Sequence, residues 1–195
     1  MTTSQNLLNL PNILTLSRVA AVPVVVVLLL FESPQTCFWA AVVFTLAAIT
    51  DWLDGFLARK WGIVTVLGKF LDPLADKLIV MAALIMLIPL DRVPAWAVFI
   101  ILARDLIISG IRSIASSEGI VIDASPLGKY KTIFQMIAIV ALLLHYQYYW
   151  FFGLEYSFLY ASAHNVGIVI FYMALALTIW SGVDYFAKFF KLLLK

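Results

Sequence analysis

The stretch TDWLDGFLARKWGIVTVLGKFLDPLADK, Thr50 to Lys77, sets four aspartates into a chain that otherwise runs to Val, Leu, Ile and Ala. Asp51, Asp54, Asp72 and Asp76 follow one another at steps of three, eighteen and four residues. Carboxylates held at the edge of a bilayer are costly, so a group of them marks a working site. Steps of three and four put each pair on one face of a helix. Two antiparallel helices joined by a short turn can point those faces at each other, and four hard oxygen donors then converge. Left alone, the four carboxylates would repel and some would stay protonated. Divalent cations remove the conflict, four carboxylates balancing two such ions. Mg²⁺ and Mn²⁺ both suit oxygen ligands, so the site is expected to hold one or two of these ions.

The rest of the chain explains why those charges stand out. Of 195 residues, 64% are hydrophobic and 12% charged, and the mean hydropathy is +1.04. A soluble domain of this length has no interior large enough for so much apolar surface. The chain therefore reads as an all-α integral membrane protein, one catalytic domain over residues 1–195. A formal net charge of +2 gives no basis for nucleic-acid binding. The single cysteine, Cys37, excludes a disulfide framework and the Cys/His zinc patterns. No Lys or Arg precedes Arg18, so the charged start of a signal peptide is missing and the first apolar run is expected to be retained.

Spans of about 20 apolar residues fall at Ile13–Phe31, Thr36–Leu57, Leu67–Leu90, Pro94–Ala115, Leu127–His145 and Ala163–Phe186, six in all. Residues 1–10 form either a short interfacial helix or a frayed tail. With the N-terminus in the cytoplasm, twelve of the thirteen Lys and Arg lie on the cytoplasmic side and only Arg92 lies outside. The outer connection HYQYYWFFGLEYSFLY (145–160) suits an interfacial aromatic belt. His145 and His164 beside it are expected to be hydrogen-bonded interface residues, far from the aspartates.

Near the four carboxylates, Gly55, Ala58 and Gly68 leave room for close backbone approach. Pro73 removes one backbone donor inside the third span, which predicts a kink or loosened turn beside Asp72. Arg104 and Arg112 stand two turns apart on the fourth span, and Lys129 and Lys131 open the fifth. Arg104 lies deep between apolar neighbours and needs a partner; Asp105, adjacent in sequence, is expected to point elsewhere. A buried guanidinium grips phosphate well, so Arg104, Arg112, Lys129 and Lys131 make a candidate anion site. Lys188, Lys191 and Lys195 are read as anchors to lipid headgroups. Metal site plus anion site, both on the cytoplasmic side, suggest phosphoryl or phosphatidyl transfer.

These residues carry a likeness. Asp51-x2-Asp54-Gly55-x2-Ala58-Arg59-x8-Gly68-x3-Asp72-x3-Asp76 resembles the signature of the CDP-alcohol phosphotransferase family at every fixed position. Eight fixed letters match by chance at one start position about once in 10⁹. LPNILTLSR (10–18), ARDLIISGIR (103–112) and LGKYKT (127–132) extend the likeness over nearly the whole chain, most closely to bacterial members that act on glycerol 3-phosphate. It weakens over 145–162.

The resemblance implies a six-helix fold, usually homodimeric, with a polar cavity open to the cytoplasm of the bacterial plasma membrane. It implies transfer of a phosphatidyl group from CDP-diacylglycerol to the 1-hydroxyl of sn-glycerol 3-phosphate, giving phosphatidylglycerophosphate and CMP. Asp51, Asp54, Asp72 and Asp76 would hold the metal, and Asp51, Gly55, Ala58 and Arg59 would line the cytidine diphosphate site. Asp76 would be the general base. The cationic residues argue for an acceptor with its own phosphate, which leaves inositol phosphate and phosphatidylglycerol open beside glycerol 3-phosphate. A cation carrier is the reading from another class, since carriers also use intramembrane carboxylates. Carriers hold them near the midplane and often show repeats; here they cluster at one interface and no repeat is visible.

Overall fold

The computed structural model describes residues 10–61, 66–117, 126–145 and 157–193, with side chains described outside 10–12, 51–73, 116, 126–127, 157–163 and 191–193. The described residues are helical, without strands. Six helices follow in order: α1 (Leu10–Leu30), α2 (Pro34–Trp61), α3 (Val66–Leu87), α4 (Ala95–Ser117), α5 (Pro126–Leu143) and α6 (Ser157–Leu193). Each overlaps one apolar run expected from sequence. The proposed interfacial helix over 1–10 lies almost wholly outside the described residues.

Local chemistry sets the breaks. Three residues separate α1 from α2, and Glu32 reverses the chain there with φ of 49°. Ser33 then caps α2: its Oγ accepts from the Thr36 N–H at 3.2 Å, and Thr36 Oγ1 accepts from the Ser33 N–H at 3.2 Å. This reciprocal cap satisfies two of the orphan donors of a helix start, and Pro34 suits the first helical position because it brings no donor. Helix α3 stops at Leu87, three residues short of the expected Leu90. Pro89 follows, the Asp91 N–H donates to the Ile88 carbonyl at 3.0 Å, and Asp91 takes φ of 52°. Helix α6 runs further than expected at both ends, to 37 residues. At its C-terminal end Lys188 Nζ donates to Asp184 Oδ2 at 2.8 Å, an i,i+4 pair. Charges that end an apolar window can thus continue a helix. Lys188, read from sequence as a headgroup anchor, has this carboxylate as partner.

The helices pack as two compact units, residues 1–87 with 143–155 and residues 88–142 with 156–195. In the first, α1 packs against α2 and α3. Small residues dominate the buried stripes: Cys37, Ala40, Ala41, Phe44 and Ala47 on α2, and Ala75, Ile79 and Ala83 on α3. Small side chains let helix backbones approach closely, the packing mode of membrane helices. Buried among them on α1 are Thr15 and Arg18, each 1% exposed.

In the second unit α4 packs against α6. Gly167 of α6 admits α5: a Cβ there would meet Leu142 at 3.1 Å. Arg92, the one cation expected on the outer side, is buried and donates from Nη1 to the Leu142 carbonyl at 2.9 Å. That carbonyl is in the last turn of α5, where intrahelical donors run out, and a cation there also suits the helix dipole. Arg92→Ala should therefore cost about 1–3 kcal/mol of stability, with Arg92→Lys recovering part of it, read from thermal unfolding in detergent.

Outside and inside are inverted relative to a soluble protein. Leu30, Phe31, Phe99, Ile114, Trp180 and Val183 are all more than half exposed, whereas Arg18, Lys131, Gln135, Thr178 and Ser181 are buried. Among the described residues, Ile13–Leu30 and His164–Phe190 are long and apolar enough to cross a bilayer. The described residues thus form a helical molecule with two helices of membrane-spanning length and composition.

Candidate active site

The four aspartates divide between two consecutive helices of the first unit. Asp51 and Asp54 lie in the last three turns of α2, and Asp72 and Asp76 in the first three turns of α3. Only residues 62–65 intervene, so the backbone brings all four to the same end of a helix pair. Helical register adds to this. The stripe through Cys37, Ala40, Ala41, Phe44 and Ala47 continues by steps of three and four to positions 51, 54, 55 and 58. On α3 the stripe through Ala75 and Ile79 leads back to 68, 72 and 76. The side chains of Asp51, Asp54, Gly55, Ala58, Arg59, Gly68 and Asp72 lie outside the described residues, while the α3 backbone stays helical through Pro73, where a kink or loosened turn was expected. Asp76 is half-buried. The donor set fits a divalent cation by its chemistry: four carboxylates, all hard oxygen ligands, at one end of two helices.

The cationic residues belong to the second unit, and here the side chains are on view. Arg104 is largely buried and donates from Nη2 to Ser181 Oγ of α6 at 2.9 Å. Its Nη1 donates to Asp105 Oδ1 at 3.1 Å. Lys131, 4% exposed, donates from Nζ to the same carboxylate oxygen. Asp105 does not point elsewhere, as its position next to Arg104 had implied. The Arg104 side chain is long enough to reach round the helix to its neighbour, and a charge left buried without a partner would cost more than the paired one. Asp105 thus joins α4 to α5 and holds two of the four expected anion-binding cations together.

Arg112 and Lys129 are placed differently. Arg112 is exposed, its guanidinium carbon 6.0 Å from the centre of the Tyr185 ring, at the outer limit of a cation–π contact. Lys129 is exposed, two residues before the buried Lys131 and so on another face of α5. His145 and His164 are half-buried, and His164 belongs to the second unit, not to the unit carrying the aspartates.

Sequence reasoning missed three contributors on α6. Ser181 anchors Arg104, and Tyr185 underlies Arg112. Gly182 lets Arg104 lie along the helix: a Cβ there would stand 3.3 Å from Arg104 Cγ and 3.7 Å from Nε. The available signal was the run of small and polar residues Thr178, Ser181, Gly182 and Tyr185 at steps of three and four in an apolar helix. Gly182→Ala should push the Arg104 side chain by a few tenths of an ångström. The expected result is a several-fold weaker affinity for inorganic phosphate, read from the concentration dependence of its effect on Tm.

Comparison with known proteins decides the family. The sequence model of the CDP-alcohol phosphatidyltransferases matches residues 8–180. The chain belongs to the CDP-alcohol phosphatidyltransferase family. It is 40% identical to a CDP-diacylglycerol–glycerol-3-phosphate 3-phosphatidyltransferase of Bacillus subtilis, over 92% of this chain and 94% of that protein. It is 39% identical to the enzyme of the same name from Rickettsia bellii, over 91% and 93%. A rice cardiolipin synthase (CMP-forming) is 38% identical over 97% of this chain and 60% of that protein. The family match runs across both units, so the aspartates on α2 and α3 and the cations on α4 and α5 fall within one CDP-alcohol phosphatidyltransferase sequence.

Proposed function

We propose that this chain transfers the phosphatidyl group of CDP-diacylglycerol to the 1-hydroxyl of sn-glycerol 3-phosphate, releasing CMP and forming phosphatidylglycerophosphate. What supports this most is the 40% identity to the B. subtilis enzyme over 92% of the chain, with all eight fixed positions of the aspartate motif present.

Asp51, Asp54, Asp72 and Asp76 would hold one or two Mg²⁺ or Mn²⁺ ions. When bound, such ions neutralise diphosphate charge and stabilise the leaving CMP. Asp51, Gly55, Ala58 and Arg59 line the cytidine diphosphate in this reading, the small residues giving it close backbone approach. Arg104, Arg112 and Lys131 hold the acceptor phosphate, and exposed Lys129 adds field that draws an anion in.

Asp76 takes the proton of the acceptor 1-hydroxyl. That oxygen forms a bond to the phosphatidyl phosphorus as the bond from phosphorus to the CMP phosphate oxygen breaks, and CMP leaves with the bonding pair. The direct displacement needs no enzyme nucleophile, and proton transfer to a positioned carboxylate contributes a factor of 10²–10⁴ in general.

The six helices are read as six spans, with the N-terminus and the reacting groups on the cytoplasmic side of a bacterial plasma membrane, in a homodimer. Beside the similarity to a rice cardiolipin synthase (CMP-forming), the second acceptor that the family resemblance left open, phosphatidylglycerol, is kept in view. A CMP-release assay in detergent distinguishes the two, with glycerol 3-phosphate, inositol phosphate, serine and phosphatidylglycerol offered separately in the presence of CDP-diacylglycerol and Mg²⁺. Release with glycerol 3-phosphate alone is expected. Release only with another acceptor would overturn the acceptor, and none with any would overturn the reaction. EDTA should stop turnover, and Mg²⁺ or Mn²⁺ should restore it.

A further inference from the structure

Three buried polar atoms of the second unit have no hydrogen-bond partner among the described residues: Arg104 Nε, Gln135 Nε2 and Tyr185 Oη. Gln135 is 3% exposed and Tyr185 4%. A buried donor left unsatisfied is costly, so three in one unit call for an occupant. All three are donors, and Arg104 Nε and Gln135 Nε2 can only donate. The missing partner is therefore rich in acceptors.

Their placement ties them to the cations. Gln135 is one turn along α5 from Lys131, on the same buried stripe. Tyr185 is one turn along α6 from Ser181, the residue that holds Arg104. Arg112 lies over the Tyr185 ring. Formal charge points the same way: Arg104, Arg112 and Lys131 against Asp105 leave +2. A phosphate monoester carries about −1.5 to −2 at neutral pH, whereas a diester carries one negative charge.

We infer that Gln135 and Tyr185 are acceptor-binding residues, which donate to the phosphorylated acceptor at either end of the Arg104–Asp105–Lys131 network and suit it to a monoester. This rests on the acceptor reading above and extends it to residues that carry no charge. Tyr185 has two roles: its ring seats Arg112, and its hydroxyl faces the ligand.

Gln135→Leu and Tyr185→Phe remove the donors while keeping shape, and Tyr185→Phe keeps the ring under Arg112. Full-length protein in detergent is melted alone, with glycerol 3-phosphate, and with the diester glycerophosphoglycerol. Both KM values are then measured. Without ligand each variant should melt at or above the parent temperature, because the deleted donor had no partner. The rise in Tm with glycerol 3-phosphate should shrink, the diester should give little rise even in the parent, and KM for glycerol 3-phosphate should increase roughly tenfold or more. KM for CDP-diacylglycerol should stay unchanged.

Variants that melt lower without ligand and keep the parent KM would make both groups structural and overturn the proposal. A parent whose Tm does not respond to glycerol 3-phosphate would overturn it as well. If the parent releases no CMP yet shows a Tm rise that both variants lose, the proposed reaction fails and the anion site stands.

Discussion

Asp76→Asn should lower kcat by about 10²–10⁴-fold, the loss expected when a positioned general base is removed, while CDP-diacylglycerol binding stays measurable. Asparagine keeps the size and one oxygen of the carboxylate, so half-buried packing at this position is preserved. It cannot take up a proton. Three carboxylates of the motif would remain on α2 and α3, enough to retain a divalent ion at raised concentration. The check is single-turnover CMP release with saturating glycerol 3-phosphate, beside a binding measurement with CDP-diacylglycerol. Parental turnover in the variant would remove Asp76 from the chemistry. Loss of nucleotide binding with loss of turnover would make it a ligand for the metal or the diphosphate alone.

The second large effect belongs to Asp105. Its carboxylate takes Arg104 and Lys131 together, and the Lys131 side chain is 5% exposed against 22% for Asp105. Breaking a buried pair by deleting one partner costs 3–5 kcal/mol because a charge is left uncompensated. Asp105 is partly open, so Asp105→Asn should cost roughly 3 kcal/mol in the unliganded protein, at the lower end of that range. A phosphorylated acceptor brings the missing negative charge. Glycerol 3-phosphate should therefore raise the Tm of the variant by more than it raises that of the parent. Equal ligand-induced rises in both would mean that the acceptor does not meet Lys131 and Arg104.

Much of the molecule was legible in the sequence, for reasons that differ by region. The six helices were readable because apolar runs of membrane length are long, and their breaks carry strong local signals, as at Ser33, Pro34, Pro89 and Pro94. Boundaries slipped where hydropathy and helicity part company, as at the C-terminal end of α6, where Asp184 and Lys188 continue a helix that the apolar window had ended. The helical placement of the four aspartates was readable because their spacing is local: steps of three and four within each of two consecutive helices.

The cationic site was readable only as a set of residue types. Sequence alone determined that the four carboxylates fall on two consecutive helices and that Arg104, Arg112, Lys129 and Lys131 fall on the next two. Tertiary structure decided which cations are buried: Lys131 is inside on Asp105, while Lys129, two residues away, is exposed. It also decided that Ser181, Gly182 and Tyr185, more than seventy residues beyond Arg104, complete the network. The physical reason is range. Helix propensity, capping and i,i+4 spacing act along a few residues of chain, whereas a buried charge is satisfied by whichever distant helix packing brings alongside it.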